Sequence, residues 1–256
     1  MTMKKILVLA LACVLAVALV ACGEEPVVTT EAPETTAAPV ETTEAPVVTT
    51  AAPEVEVMSY AEYAAADLDT PVVIEAYVQA HQSWWDNKIT VYAADKDGAY
   101  FLYEMACSEE DAAKLTPGTK IRVTGYKGAW AGEVEVMDAT FEFVDGDTYV
   151  AEPIDATALL GTDELINYQN QLATFKGMTV EAIEFKNGEP GDDIYVTVAK
   201  DGVSYSFCVE RYLTDPETDV YKTVSELKAG DVVDIEGFIY WYEGVNTHIT
   251  AVAAAE

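Results

Sequence analysis

The chain has 256 residues and carries 45 acidic against 14 basic side chains, which gives a formal net charge of -31. Most of this imbalance lies after residue 57, where 37 acidic side chains face 12 basic ones. Nucleic acids and anionic lipid surfaces are held mainly by lysine and arginine, so both are disfavoured as partners. Half of the residues are hydrophobic and 15 are tyrosine, so the chain is not disordered over its whole length.

Residues 1–22 have the pattern of a secretory signal peptide. Lys4 and Lys5 precede an apolar run over residues 6–20. About 16 apolar residues rising about 1.5 Å each reach about 24 Å, which is short of the roughly 30 Å hydrocarbon core. The sequence therefore favours a signal peptide over a membrane-spanning helix.

The end of this run, Leu19-Val20-Ala21-Cys22, resembles the lipobox of bacterial lipoproteins. The resemblance implies cleavage before Cys22, acylation of that residue and an extracytoplasmic location at the membrane, since stable anchoring needs more than one acyl chain. An ordinary cleaved signal or an uncleaved anchor is the alternative.

Residues 23–57 are predicted to be a disordered linker rich in Thr, Pro and Glu. Prolines recur about every seventh position, and eight glutamates face no basic residue. Neither helix nor sheet accepts prolines at this spacing, and charge of one sign extends a coil. Fully extended, the linker would reach about 110 Å. Its threonines are either O-glycosylated, as in other Pro-rich stalks, or unmodified.

The remaining sequence contains an internal repeat, which predicts a first domain over 58–152 and a second over 153–256. Lys96-Asp97-Gly98 recurs as Lys200-Asp201-Gly202 at an offset of 104. At an offset of 112, Gly118, Gly125 and Gly132 recur as Gly230, Gly237 and Gly244. Apolar positions follow the same register, with Phe101, Tyr103 and Met105 matched to Tyr205, Phe207 and Val209.

Each repeat is predicted to contain three strands, a short helix and two further strands. In the first repeat, period-two alternation marks strands at 72–79, 88–93 and 99–106, and Ser108 is the expected N-cap of the helix. A shift of phase between Val136 and Ala139 predicts a β-bulge in the fifth strand. The second repeat has strands at 175–183, 194–199 and 203–210, a helix at 220–227, and strands at 231–240 and 248–252.

This order resembles that of the OB-fold, a five-stranded Greek-key barrel, so the fold class is mainly β with two tandem barrels after the linker. A β-sandwich or an SH3-like barrel in each repeat is the alternative. The segments Ser83–Lys88 and Tyr240–Asn246 also resemble a family of OB-fold lipoproteins from Firmicutes, which has no assigned activity to transfer.

OB barrels bind ligands on strands 2 and 3, between the loops that follow strands 1 and 4. Aromatic side chains in these loops stack on sugar rings or bases, while amides fix hydroxyl groups. Alternatively, the tryptophans cap the barrel ends or fill the junction between the repeats. The candidate ligand-binding residues are His81, Trp84, Trp85, Asn87, Trp130, Tyr240, Trp241, Tyr242 and Asn246.

Other chemistry is weakly indicated. Asp95 to Gly98 matches only part of a calcium loop and is better explained as a hairpin turn. Cys107 and Cys208 do not align between the repeats and are expected to be buried free thiols. No spacing suggests catalytic residues, a metal site or a cofactor.

The sequence thus predicts a non-catalytic, lipid-anchored binding module for an extracellular oligosaccharide or peptide. An adaptor lipoprotein that docks an envelope protein is the alternative. Single-stranded nucleic-acid binding is a further one, by analogy of fold alone.

Overall fold

The structure, a computed structural model, describes residues 56–255, which belong to one compact unit. The predicted signal peptide, Cys22 and all of the linker except residues 56 and 57 lie outside the described residues. Within the described part, no helix has the length and apolar character that a membrane crossing requires.

The described elements follow one another in this order: α1 (Tyr60–Ala65), β1 (Pro71–His81), β2 (Lys88–Ala94), β3 (Ala99–Ala106), α2 (Glu109–Ala112), β4 (Lys120–Trp130), β5 (Glu133–Phe143), β6 (Ile154–Asp155), two 3₁₀ turns (Thr157–Leu159 and Leu165–Tyr168), β7 (Leu172–Phe185), β8 (Ile194–Lys200), β9 (Val203–Val209), α3 (Asp219–Glu226), β10 (Val232–Phe238) and β11 (His248–Ala254).

The first five strands form a closed barrel in the order β1-β2-β3-β5-β4. All ladders are antiparallel except the short β3–β5 pairing, which is the strand order of an OB-type barrel. The core contains the alternate residues Val72, Ile74, Ala76 and Val78 of β1. The predicted mainly-β, OB-like barrel is therefore confirmed for this part of the chain.

The second half forms a six-stranded sheet in the order β10-β11-β9-β8-β7-β6. In this sheet β10 also pairs with β7, and β11 meets β9 in a short parallel pairing. Its core includes Phe175, Phe207 and Val209.

Several local predictions are confirmed. Ser108 accepts a hydrogen bond from the backbone N–H of Asp111 at the start of α2. The expected bulge in β5 lies where Thr124 pairs with Thr140 and Tyr126 with Met137, and Asp138 there has a φ of 50°.

The hairpin turn and the free thiols are also as predicted. Asp95 Oδ1 accepts the backbone N–H groups of Asp97 and Gly98 and so closes the turn between β2 and β3. Cys107 and Cys208 are buried and free.

The predicted match between the apolar residues of β3 and those of β9 is wrong in part. Tyr205, Phe207 and Val209 all pack on the second core. In the first trio only Met105 lies in the corresponding core, whereas Phe101 packs elsewhere and Tyr103 is exposed. The cause is a bulge in β3 at Glu104, whose φ of 43° shifts the alternation of the strand.

A third hydrophobic cluster joins the two halves. Tyr92 of β2 stacks on Phe238 of β10 with ring centroids 4.2 Å apart, and its hydroxyl shares a 2.8 Å hydrogen bond with Nδ1 of His248. Both faces of β2 are consequently buried. The contact holds the barrel and the second sheet together as one body.

Candidate ligand-binding site

Four of the nine predicted ligand-binding residues line one cavity of about 520 Å³ between the barrel and the second sheet, which is called the main cleft for that reason and not for its size. Its walls come from β3 and the end of β4 on one side, and from β8, β9 and the segment before β11 on the other. It is lined by Gln82, Phe101, Tyr103, Trp130, Asp193, Tyr195, Ser206, Cys208, Glu210, Tyr240, Tyr242, Asn246 and His248.

Aromatic rings dominate the rim of the main cleft. Trp130 is 56% exposed and Tyr242 is 50% exposed, although their ring centroids lie only 5.2 Å apart. A bond from the Glu243 N–H to the carbonyl of Ala131 fixes the two backbones beside each other at 2.7 Å. The result is one aromatic surface with contributions from both halves of the protein.

The floor of the main cleft is formed by packed, hydrogen-bonded groups. Tyr240 stacks on His248 at a centroid distance of 4.3 Å, and its ring also packs against Phe101. Burial lowers the pKa of His248 to about 4, so its imidazole is neutral at physiological pH. The Asn246 amide donates to the carbonyl of Ser206, which fixes the segment before β11.

The acidic groups of the main cleft already have partners. Asp193 forms an ion pair with Lys186 at 2.8 Å and accepts the backbone N–H of Arg211. Glu210 accepts the backbone N–H groups of Tyr212 and Leu213, and burial raises its pKa. The cleft is therefore less negative than the composition of the chain suggests.

A second cavity, the side cleft, has a volume of about 300 Å³. Trp85 and Tyr212, 72% and 52% exposed, stand at its edge. Its charged groups, Lys88 and Glu104, pair with each other at 2.7 Å. It is lined by Gln82, Ser83, Trp85, Lys88, Ile89, Thr90, Glu104 and Tyr212.

The structure separates the predicted ligand-binding residues into three groups. One set lines the main cleft and consists of Trp130, Tyr240, Tyr242 and Asn246. Trp85 alone lines the side cleft. The rest, found outside both linings, are His81, Trp84, Asn87 and Trp241.

The residues outside the clefts have structural contacts. Nε1 of Trp84 donates to the carbonyl of Cys107, and its ring packs on the barrel core. Nδ1 of His81 donates to the carbonyl of Gln82. Asn87 lies in the tight turn before β2 with a φ of 61°. Trp241 packs on the second core, as the junction-filling alternative expected.

The junction beneath Trp241 also buries a carboxyl group. Glu133 is completely buried and accepts the backbone N–H of Trp241 at 2.8 Å. Burial raises its pKa to about 8, Asn170 and the Trp241 N–H oppose the shift, and Glu135 adds to it. Its Oε1 is without a hydrogen-bond partner among the described residues.

Several residues of the main cleft, notably Tyr103, Tyr195 and Glu210, are not among those predicted from the sequence. Tyr103 shares with Phe101 the face of β3 that points out of the barrel, opposite the core residues Tyr100 and Leu102. The bulge at Glu104 changes the face only of Met105, which enters the core. Tyr195 lies in β8 between the buried residues Ile194 and Val196. Because side chains alternate between the two faces of a strand, this position indicates that Tyr195 points away from the core.

Comparison with known proteins gives little to define a family. No family model matches the chain, and no curated protein matches it. Among solved structures, a murine DNA-binding protein bound to double-stranded DNA is similar at a TM-score of 0.35 and 13% identity, over 73% of this chain and 96% of that one.

The HINa domain of Ifi202 in complex with a 20-bp double-stranded DNA is similar at a TM-score of 0.34 and 10% identity, over 74% of this chain and 97% of that one. A likeness at this level carries no argument about the ligand.

Proposed function

We propose that this protein is a lipid-anchored, non-catalytic binding protein that holds a neutral oligosaccharide in the main cleft. The observation that carries the proposal is the exposed aromatic surface of Trp130 and Tyr242 above a floor of polar groups. Sugar rings present flat apolar faces that stack on such rings, and their hydroxyl groups need a few fixed polar partners.

The local charge favours a neutral ligand over a cationic peptide. A basic peptide needs unpaired carboxylates, yet Asp193 is held by Lys186 and Glu210 by two backbone N–H groups. A basic peptide would have to displace these partners from the two carboxylates, and the loss of those interactions would offset much of its own electrostatic attraction.

Nucleic acid is the rival ligand class. The excess of 37 acidic over 12 basic side chains after residue 57 opposes a chain of phosphates. Binding of an oligothymidylate with a steep dependence on salt would favour this rival.

Two further parts of the proposal concern architecture. We infer that both halves are OB-like domains in tandem, which the return pairing of β10 with β7 and the parallel β9–β11 contact support.

We also infer that acylated Cys22 anchors the chain outside the cytoplasm, with the linker as spacer. Cys22→Ala should move the protein out of the membrane fraction of a lipoprotein-processing bacterial host. Membrane retention of the variant, together with an unsubstituted protein whose mass includes no acyl chains, would contradict this.

A screen of neutral oligosaccharides by isothermal titration calorimetry tests the ligand class. Trp130→Ala should weaken binding about tenfold, which corresponds to one lost stacking contact. Tyr126→Ala is the matched control, because Tyr126 is a similarly exposed aromatic residue outside both clefts. Equal effects of the two substitutions on affinity would contradict the proposal. In a separate experiment, cross-linking of one stoichiometric envelope protein in intact cells would favour the adaptor alternative.

A further inference from the structure

The side cleft resembles the main cleft in chemistry. Each has exposed aromatic rings at its edge, and the charges in each are paired within the protein. The side cleft also draws on both halves, since Trp85 comes from the barrel and Tyr212 from the segment after β9.

The backbones of the aromatic residues of the side cleft are fixed by hydrogen bonds. Trp85 exchanges two backbone hydrogen bonds with Lys88 across a two-residue turn whose central residues have positive φ. The carbonyl of Tyr212 accepts bonds from both the N–H and the hydroxyl of Ser83, at 2.7 and 3.3 Å. A backbone fixed in this way does not have to be ordered when a ligand stacks on the side chain, which lowers the entropic cost of binding.

Three features connect the linings of the two clefts. Gln82 lines both of them. Consecutive residues of β3 line one cleft each: Tyr103 lies on the same face as Phe101 in the main cleft, and the bulge at Glu104 places that side chain in the side cleft. Glu210 in the main cleft binds the backbone N–H of Tyr212, whose ring lines the side cleft.

We propose that the side cleft is a second subsite for the same ligand, so that the protein recognises a linear neutral glycan along its length rather than by one terminal sugar. This inference rests on the proposed function of the main cleft. A chain that stacks first on Trp130 and Tyr242 passes Gln82 and reaches Trp85 and Tyr212. Short oligosaccharides occupy the main cleft alone.

The test is calorimetric titration of the full-length protein in detergent micelles with cello-, chito- and malto-oligosaccharide ladders, from disaccharide to octasaccharide. Affinity should rise with chain length and then level off. Trp85→Ala should lower the affinity for long chains about tenfold and leave that for the shortest binding chain unchanged. Tyr212→Ala should reproduce this dependence on length, whereas Trp130→Ala weakens binding at every length.

The outcomes distinguish the two proposals. If Trp130→Ala weakens binding and Trp85→Ala has no effect at any length, the side cleft is not a subsite and the main cleft keeps its role. If no ladder binds the unsubstituted protein, both proposals are overturned. Retained thermal unfolding midpoints in Trp85→Ala, Tyr212→Ala and Trp130→Ala exclude a loss of fold as the cause.

Discussion

Replacing the buried carboxyl group of Glu133 by an amide tests how the junction is stabilised. Burial raises the pKa of Glu133 to about 8, whereas an unfolded glutamate titrates near its ordinary value of about 4.3. Because the folded state holds the proton more tightly, stability is full at pH 4 and falls as the pH rises through the window from about 4.3 to about 8. At pH 7 this penalty is about 3–4 kcal/mol.

Glu133→Gln keeps an acceptor for the Trp241 N–H and has no charge to desolvate. Urea unfolding should therefore find the variant about as stable as the unsubstituted protein at pH 4 and more stable by about 3–4 kcal/mol at pH 7. Glu181→Gln, an exposed position on β7, is the control and should change stability by less than about 0.5 kcal/mol at both pH values. A difference between Glu133→Gln and the unsubstituted protein that does not grow with pH would refute the reasoning.

Two further substitutions probe the contact between the halves. Tyr92→Phe leaves Nδ1 of buried His248 without its partner and should lower the free energy of unfolding by about 1–3 kcal/mol in urea titrations; no change would show that the bond contributes nothing. Gly132→Ala places a Cβ 2.7 Å from the Trp241 ring, whereas Gly230 has the same φ of 98° and open space around it. Thermal melts should therefore find Gly132→Ala less stable than Gly230→Ala by about 1–3 kcal/mol, and equal losses would contradict the packing described.

Local features of the fold were accessible from the sequence. The bulge near Asp138 was predicted because the apolar alternation changes phase within a few residues, and the cap at Ser108 because serine precedes three acids. Helix α1 was missed although Ser59 and Glu62 have the spacing of a capping box, and both of its hydrogen bonds are present.

Contacts between distant segments were not accessible. Tyr92 alternates with the core residues of β2, and this pattern predicts that it faces solvent. In the structure it is covered by Phe238, which lies 146 positions later in the chain. The same limit applies to the tryptophans. Sequence position alone did not separate Trp130, which is open to the main cleft, from Trp241, which packs on the second core.

The central claim, an aromatic binding surface on the main cleft, is tested most directly by NMR. The chain has four tryptophans, and their indole N–H signals report separately on each site. On titration with the tightest-binding neutral oligosaccharide, the Trp130 signal should shift, with Trp85 following for long chains. Trp84, whose indole is bonded to Cys107, and Trp241 should stay in place as internal controls. A saturating ligand that leaves the Trp130 signal unmoved, or shifts only Trp84 and Trp241, would contradict the claim.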